Sequence, residues 1–184
     1  MEMSQFIPYA QAWPIAMAGN IHFAYEVVSL LDSYMLNSDG DRFMVKYDPV
    51  KMEKSTRDYL SIGIASEVAA GKGSEHGGAY VSMKHLPPEH VAAFAADMFP
   101  QWRVGAFSLL KFGFDPGVKP IEIAPAAHYT VGGVRINERC ETNLPGLVAA
   151  GEVAANVHGA NRISGNALTE TQVFGAIAGA TAAE

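Results

Sequence analysis

Three side chains in the last third of the chain are spaced for chemistry on an anion or a polarised carbonyl. His128 opens H-Y-T-V-G-G, Glu152 closes A-A-G-E, and Arg162 sits inside H-G-A-N-R-I-S-G-N-A-L, which runs from His158 to Leu168. Arg offers a planar, bidentate fork for a carboxylate, and the glycines beside it let backbone come close to a ligand. His128 reads either as a ligand-polarising group or as a structural histidine. Glu152 suits either a ribose-type hydroxyl or a turn contact. A fourth cation, Arg57, falls in the first turn of an expected helix, where it opposes the helix dipole.

These residues need elements to hold them. The spacing predicts an opening strand from Glu2 to Tyr9, limited by Pro8. Asn20 is placed to cap a helix to about Leu31, with Phe23, Val27, Leu30 and Leu31 on one stripe. Ser38-Asp39-Gly40-Asp41 predicts a hairpin between Tyr34–Asn37 and Arg42–Lys46. Ser55 or Thr56 starts a helix carrying Leu60, Ile64 and Val68, with Gly71 as its stop. Ala79 to His85 alternates as a strand, Pro87-Pro88-Glu89 opens a helix to about Met98, and Trp102 to Phe112 forms another. Asp115-Pro116-Gly117 is a turn. Ile121 to Ala124, Val134 to Ile136 and Leu147 to Ala150 read as strands, and Ala167 to Ala183 as a helix of small residues. A boundary is expected near Pro120 to Pro125.

Composition narrows the function classes. The chain has 184 residues, 49% hydrophobic and 17% charged, as in a globular domain with a sizeable core. A formal net charge of −6 disfavours a nucleic-acid surface. One cysteine, Cys140, excludes an intramolecular disulfide, suggests a reducing compartment, and reads as a bystander thiol. There is no G-x-G-x-x-G after a strand, no P-loop and no nucleophile elbow. His76, His85 and His90 lack metal-ligand spacing and read as surface residues, so no metal site is expected.

Taken together, the motifs resemble the flavoprotein subunits of succinate dehydrogenase and fumarate reductase, and L-aspartate oxidase. Beside the segments above, M-E-M-S-Q-F-I-P at the start, L-N-S-D-G-D-R-F-M (Leu36 to Met44), T-R-D (Thr56 to Asp58), H-L-P-P-E (His85 to Glu89) and G-E-V-A (Gly151 to Ala154) agree in order. The resemblance implies an α+β fold: a capping domain of the fumarate reductase type plus a partial α/β FAD-binding domain. The divisions expected are 1–13 as an opening strand from the FAD domain, 14–124 as the capping domain and 125–184 as the C-terminal part of the FAD domain. The N-terminal dinucleotide-binding part of the family would be missing.

The same resemblance implies an FAD-dependent oxidoreductase that moves a hydride between the flavin and a carbon of an activated alkene or its saturated product. Arg57 matches the proton-shuttling Arg, and Glu26 its acidic relay. His128 and Arg162 match the residues that bind the substrate carboxylates, and Glu152, Ala167 and Leu168 match contacts to FAD. Implied partners are a small carboxylic acid, an iron-sulfur or other electron-transfer subunit, and the missing flavin-binding region. The expected location is cytoplasmic, or membrane-associated through partner subunits. The sequence departs from the family at Ile7 (a His in the family), Tyr25 (a Thr), Ser29 (the relay's outer Arg) and Ser29 to Ser33 (an R-G-E-G-G run). These changes predict a substrate other than fumarate, with one carboxylate and an apolar far end. The chain alone is expected neither to hold FAD tightly nor to turn over, and to self-associate. Two other readings stand beside this one: a docking module without chemistry, and a plain α+β protein whose glycine loops are structural.

Overall fold

A computed structural model describes residues 3–19, 21–91, 93, 118–155 and 157–184. The expected cap Asn20, the end of the helix near Met98, the helix over Trp102 to Phe112 and the turn at Asp115 to Gly117 lie outside the described residues. The described chain divides into two compact units, one of residues 1–6 and 127–184, the other of residues 7–126.

Four strands form one sheet in the order β1-β4-β3-β2: β1 is Ser4–Trp13, β2 Tyr34–Leu36, β3 Ala79–Ser82 and β4 Ile121–Thr130. β3 pairs antiparallel with both its neighbours, Met35 opposite Val81 and Ala79 opposite Ile123. β1 does not stop at its proline. It stands at the end of the strand order, where proline is tolerated, and it continues through Pro8 to Trp13. β4 likewise runs through Pro125, because its β3 partner ends at Ile123. His128 therefore belongs to a strand.

The unit of residues 7–126 holds the main core. Met35, Val81, Ile121 and Ile123 from the sheet meet Ala24, Val27 and Val28 of helix α1 (His22–Leu30) and Leu60 and Ile64 of helix α3 (Arg57–Ala69). All are at 0% exposure, and each large one contributes roughly 1.5–3 kcal/mol by leaving water. α3 starts after Thr56 and ends before Gly71, which takes a φ of 76°, as its sequence predicts. Leu30 does not join the core stripe of α1; it is 59% exposed at the helix end.

The expected hairpin is replaced. Residues after Gly40 form a short helix, α2 (Met44–Tyr47), and β2 pairs with β3 instead. Asp39-Gly40 does turn the chain, but the Asn37 side chain accepts the backbone N–H of both Asp39 and Asp41 and redirects it. Phe43 and Met44, adjacent in sequence, are both buried. A strand sends neighbours to opposite faces, whereas a helical turn can bury both. Glu67 anchors this corner, accepting from Asn37 at 2.9 Å, Lys46 at 3.0 Å and Tyr47 at 2.8 Å.

In the unit of residues 1–6 and 127–184 the expected strands at Val134 and Leu147 shrink to single bridges, Val134 with Ala154 and Val148 with Glu141. The sequence there is cut by glycines; Gly133, Gly146 and Gly151 all have positive φ. A Cβ on Gly133 would collide with the carbonyl of Val153, so glycine lets two backbones meet at the first bridge. Helix α4 (Asn166–Ala182) buries only Glu170 and Ala178 among its side chains. Glu170 accepts the Gly151 N–H at 3.0 Å and ties that loop to the helix.

Candidate active site

Arg162 is the centre of the polar cluster in the unit of residues 1–6 and 127–184. It is 7% exposed, although arginine is seldom buried without a partner. Its guanidinium carbon lies 4.3 Å from the ring centre of Tyr129. One terminal nitrogen reaches the Ile163 carbonyl at 3.3 Å, while its Nε is buried and has no hydrogen-bond partner among the described residues. No carboxylate forms an ion pair with it among the described residues. Gln5, from β1, fixes the loop backbone by donating to the Arg162 carbonyl at 2.8 Å and to Asn161 Oδ1 at 2.5 Å.

Tyr129 follows His128 on β4. Strand alternation sends the two to opposite faces, Tyr129 into the interior at 8% exposure and His128 to a half-buried position. Burial raises the Tyr129 phenol pKa, and the nearby charges of Glu170 and Glu152 add to the effect. The ring of His158 meets Tyr129 edge-on at 5.5 Å, with Nε2 3.3 Å from the phenol oxygen. Both residues fall inside the sequence motifs, yet sequence reasoning assigns a role to neither. A polar residue heading a Gly-Ala-Asn-Arg run is the one signal that could have found His158.

Glu152 is exposed, and one of its oxygens accepts the Thr130 N–H at 2.8 Å. Ala167 and Leu168 lie in the first turn of α4, after Gly165 at φ 82°. Leu168 is 76% exposed, and among the described residues beyond the chain neighbours no atom lies within 4 Å of a Cβ built on Gly159 or Gly165.

In the unit of residues 7–126, Arg57 is the first residue of α3 and half-buried. Tyr9 of β1 lies within its electrostatic reach and is 5% exposed. Burial dominates there and pushes the Tyr9 phenol up to about 12; a hydrogen bond with Ser29 pulls it down, Tyr25 adds to the rise, and Arg57 opposes it. Tyr25 and Tyr9 contact edge-on, ring centres 5.4 Å apart. Tyr25 and Ser29 thus gather on one phenol. Ile7 is 5% exposed within the hydrophobic core. Glu26 lies in α1, and its side chain is outside the described residues.

The three histidines expected at the surface are exposed, and two of them are engaged. His76 stacks on Trp13 at 4.2 Å and bonds the buried Glu122 at 2.9 Å, while His85 stacks on Tyr34 at 3.6 Å. Among the described residues there is no group of three or more His, Cys, Asp or Glu side chains that could hold a metal ion. No described helix is long and apolar enough to cross a membrane.

Residues 1–168 match the FAD binding domain family. The chain belongs to this family of FAD-binding flavoproteins, whose relatives include fumarate reductase, the succinate dehydrogenase flavoprotein and L-aspartate oxidase. The matching subunit of the CoM/CoB fumarate reductase of Methanothermobacter marburgensis is 44% identical over 184 residues, covering 100% of this chain and 32% of the relative. The L-aspartate oxidase of Caulobacter vibrioides is 40% identical over 148 residues, 80% of this chain and 26% of the relative. The solved structure of a variant E. coli quinol fumarate reductase superposes with a TM-score of 0.79 at 28% identity, over 99% of this chain and 32% of that one. The chain thus spans about a third of the length of these proteins.

FAD is the cofactor of the family. The residues present fit it. The stretch around Gly159, Gly165 and Leu168 offers backbone and open space instead of a filled surface, as close approach to a large planar group requires.

Proposed function

We propose that this chain serves as part of an FAD-dependent oxidoreductase of the fumarate reductase and succinate dehydrogenase type, acting on a carboxylic acid at a C=C or CH–CH bond. One observation carries the reading: Arg162 is a buried guanidinium with an unpartnered Nε and no ion pair among the described residues. A buried cation is costly unless an anion compensates it, and a substrate carboxylate would do so. His128 is assigned as a second group for the same acid, and Glu152 together with Ala167 and Leu168 as the chain's contacts to FAD.

When bound, FAD supplies or takes up the hydride at one substrate carbon. Arg57 then gives or takes the proton at the neighbouring carbon. Arginine holds its proton tightly, so this requires immediate exchange with a relay, for which Glu26 on α1 is assigned. Tyr9, kept neutral by burial, adds no second charge beside Arg57. Residues 14–124 are read as the capping domain and 125–184 as the C-terminal part of the FAD domain. An electron-transfer subunit is the partner class that the relatives suggest, with any membrane association made through it.

Two features bear on the acid. Ile7 lies in the core and offers no donor, which favours one carboxylate; the Methanothermobacter relative bears the name fumarate reductase, which favours two. Reoxidation of the reduced holoenzyme by fumarate and by crotonate tests both. Turnover of either supports the reaction class, their ratio counts the carboxylates satisfied, and turnover of neither with no binding sinks the reading.

A further inference from the structure

Arg162 is held without an acidic partner among the described residues, so something else must fix the direction of its fork. Its backbone is secured by Gln5, but a backbone contact leaves the side-chain torsions free. The guanidinium itself rests on Tyr129 at 4.3 Å. That ring is in turn gripped at its far end. The phenol oxygen lies 3.3 Å from His158 Nε2, and His158 Nδ1 lies 3.3 Å from Asn166 Nδ2.

The direction of this chain of contacts follows from hydrogen-bond chemistry. An amide nitrogen only donates, so Nδ1 of His158 must accept. The neutral ring then carries its hydrogen on Nε2 and donates it to the Tyr129 oxygen. Asn166 is the first residue of α4, so the series runs from a 17-residue helix through His158 and Tyr129 to Arg162. All four residues belong to the same compact unit.

We propose that His158 is a positioning residue for the carboxylate site: it pins the Tyr129 ring, and through that ring the Arg162 guanidinium. The proposal rests on the reading of Arg162 as the carboxylate anchor. A hydrogen bond at the para oxygen opposes swing of the ring about χ1, and the face offered to the cation then stays fixed. A cation–π contact depends on that face, and a bidentate fork tolerates little rotation.

The test uses the flavin-loaded holoenzyme with fumarate and crotonate as probes. Binding is read from the flavin absorbance and turnover from reoxidation. Tyr129→Phe keeps the ring beneath Arg162 and removes only the oxygen; His158→Leu removes both contacts; His158→Gln restores a donor and an acceptor. The expected result is a rise in Kd and KM of about tenfold for Tyr129→Phe and His158→Leu, with kcat much less affected. The double variant should be no worse than either single one, and His158→Gln should recover most of the loss. Tyr129→Phe is the milder change and carries the test if His158→Leu does not fold. If Arg162→Met weakens acid binding while Tyr129→Phe and the two His158 variants leave Kd within twofold, the positioning role is overturned and the anchor stands. If Arg162→Met itself leaves Kd unchanged, the anchor reading falls and this proposal falls with it. Additive losses in the double variant also overturn it.

Discussion

Gln5 and Arg162 stand 157 positions apart in the chain, yet the side-chain amide of Gln5 donates to the Arg162 carbonyl over 2.8 Å. The first described strand and one of the last loops are therefore assembled together. Gln5 is 7% exposed, and its amide nitrogen also holds Asn161. The loop that carries the buried guanidinium is set by a residue at the opposite end of the sequence.

Arg162→Lys should not behave as a conservative change. Lysine keeps the charge but loses the planar fork and the stack on Tyr129. The expected outcome is a rise in the KM for the acid of about 10- to 100-fold with the fold intact. Steady-state kinetics and circular dichroism on the holoenzyme check both halves.

Gly78→Ala should destabilise the sheet. A Cβ there would strike the carbonyl of Ile123, which is backbone and has little room to yield. A cost of about 1–3 kcal/mol is expected. Urea denaturation should show it as a lowered midpoint, and a midpoint unchanged from wild type would contradict the close approach.

Glu67 predicts an acid-sensitive corner. Burial pushes its pKa up, but hydrogen bonds from Asn37, Tyr47 and Lys46 outweigh it, and the folded carboxyl titrates below its ordinary 4.5. A depressed carboxyl pKa contributes stability above the unfolded value and loses it as pH falls through the folded one. The melting temperature of the wild type should therefore fall more steeply below about pH 4.5 than that of Glu67→Gln, measured by thermal melts from pH 6 to 3.

Cys140 should be inert while the protein is folded. Its side chain is at 0% exposure, burial raises the thiol pKa, and only the thiolate reacts. Iodoacetamide labelling should be slow in the native state and rapid in denaturant. Rapid native labelling would show that the site opens.

Much of the local fold was legible in the sequence, and the exceptions have physical causes. α3 could be read from Thr56 to Gly71, because its cap position, its stripe of Leu60 and Ile64, and its stop act within one segment. The helix at Met44 was missed because Asp39-Gly40 is a real turn whose exit is decided by Asn37 and Glu67, one of them in another element. The continuation of β1 through Pro8 depended on its place at the end of the strand order, a property of the whole sheet. In the candidate site, Arg162 was visible from its glycine-flanked loop. Its supports, Gln5, Tyr129 and His158, were hidden because their meaning comes from contacts across 29 to 157 positions of sequence.

The division of the chain has an engineering consequence. Residues 7–126 leave and rejoin the other unit along β1 and β4, which are neighbours in the sheet. A segment entered and left along neighbouring strands behaves as a cassette. Its surface loops are the places at which sequence can be inserted without altering the chain path of the host.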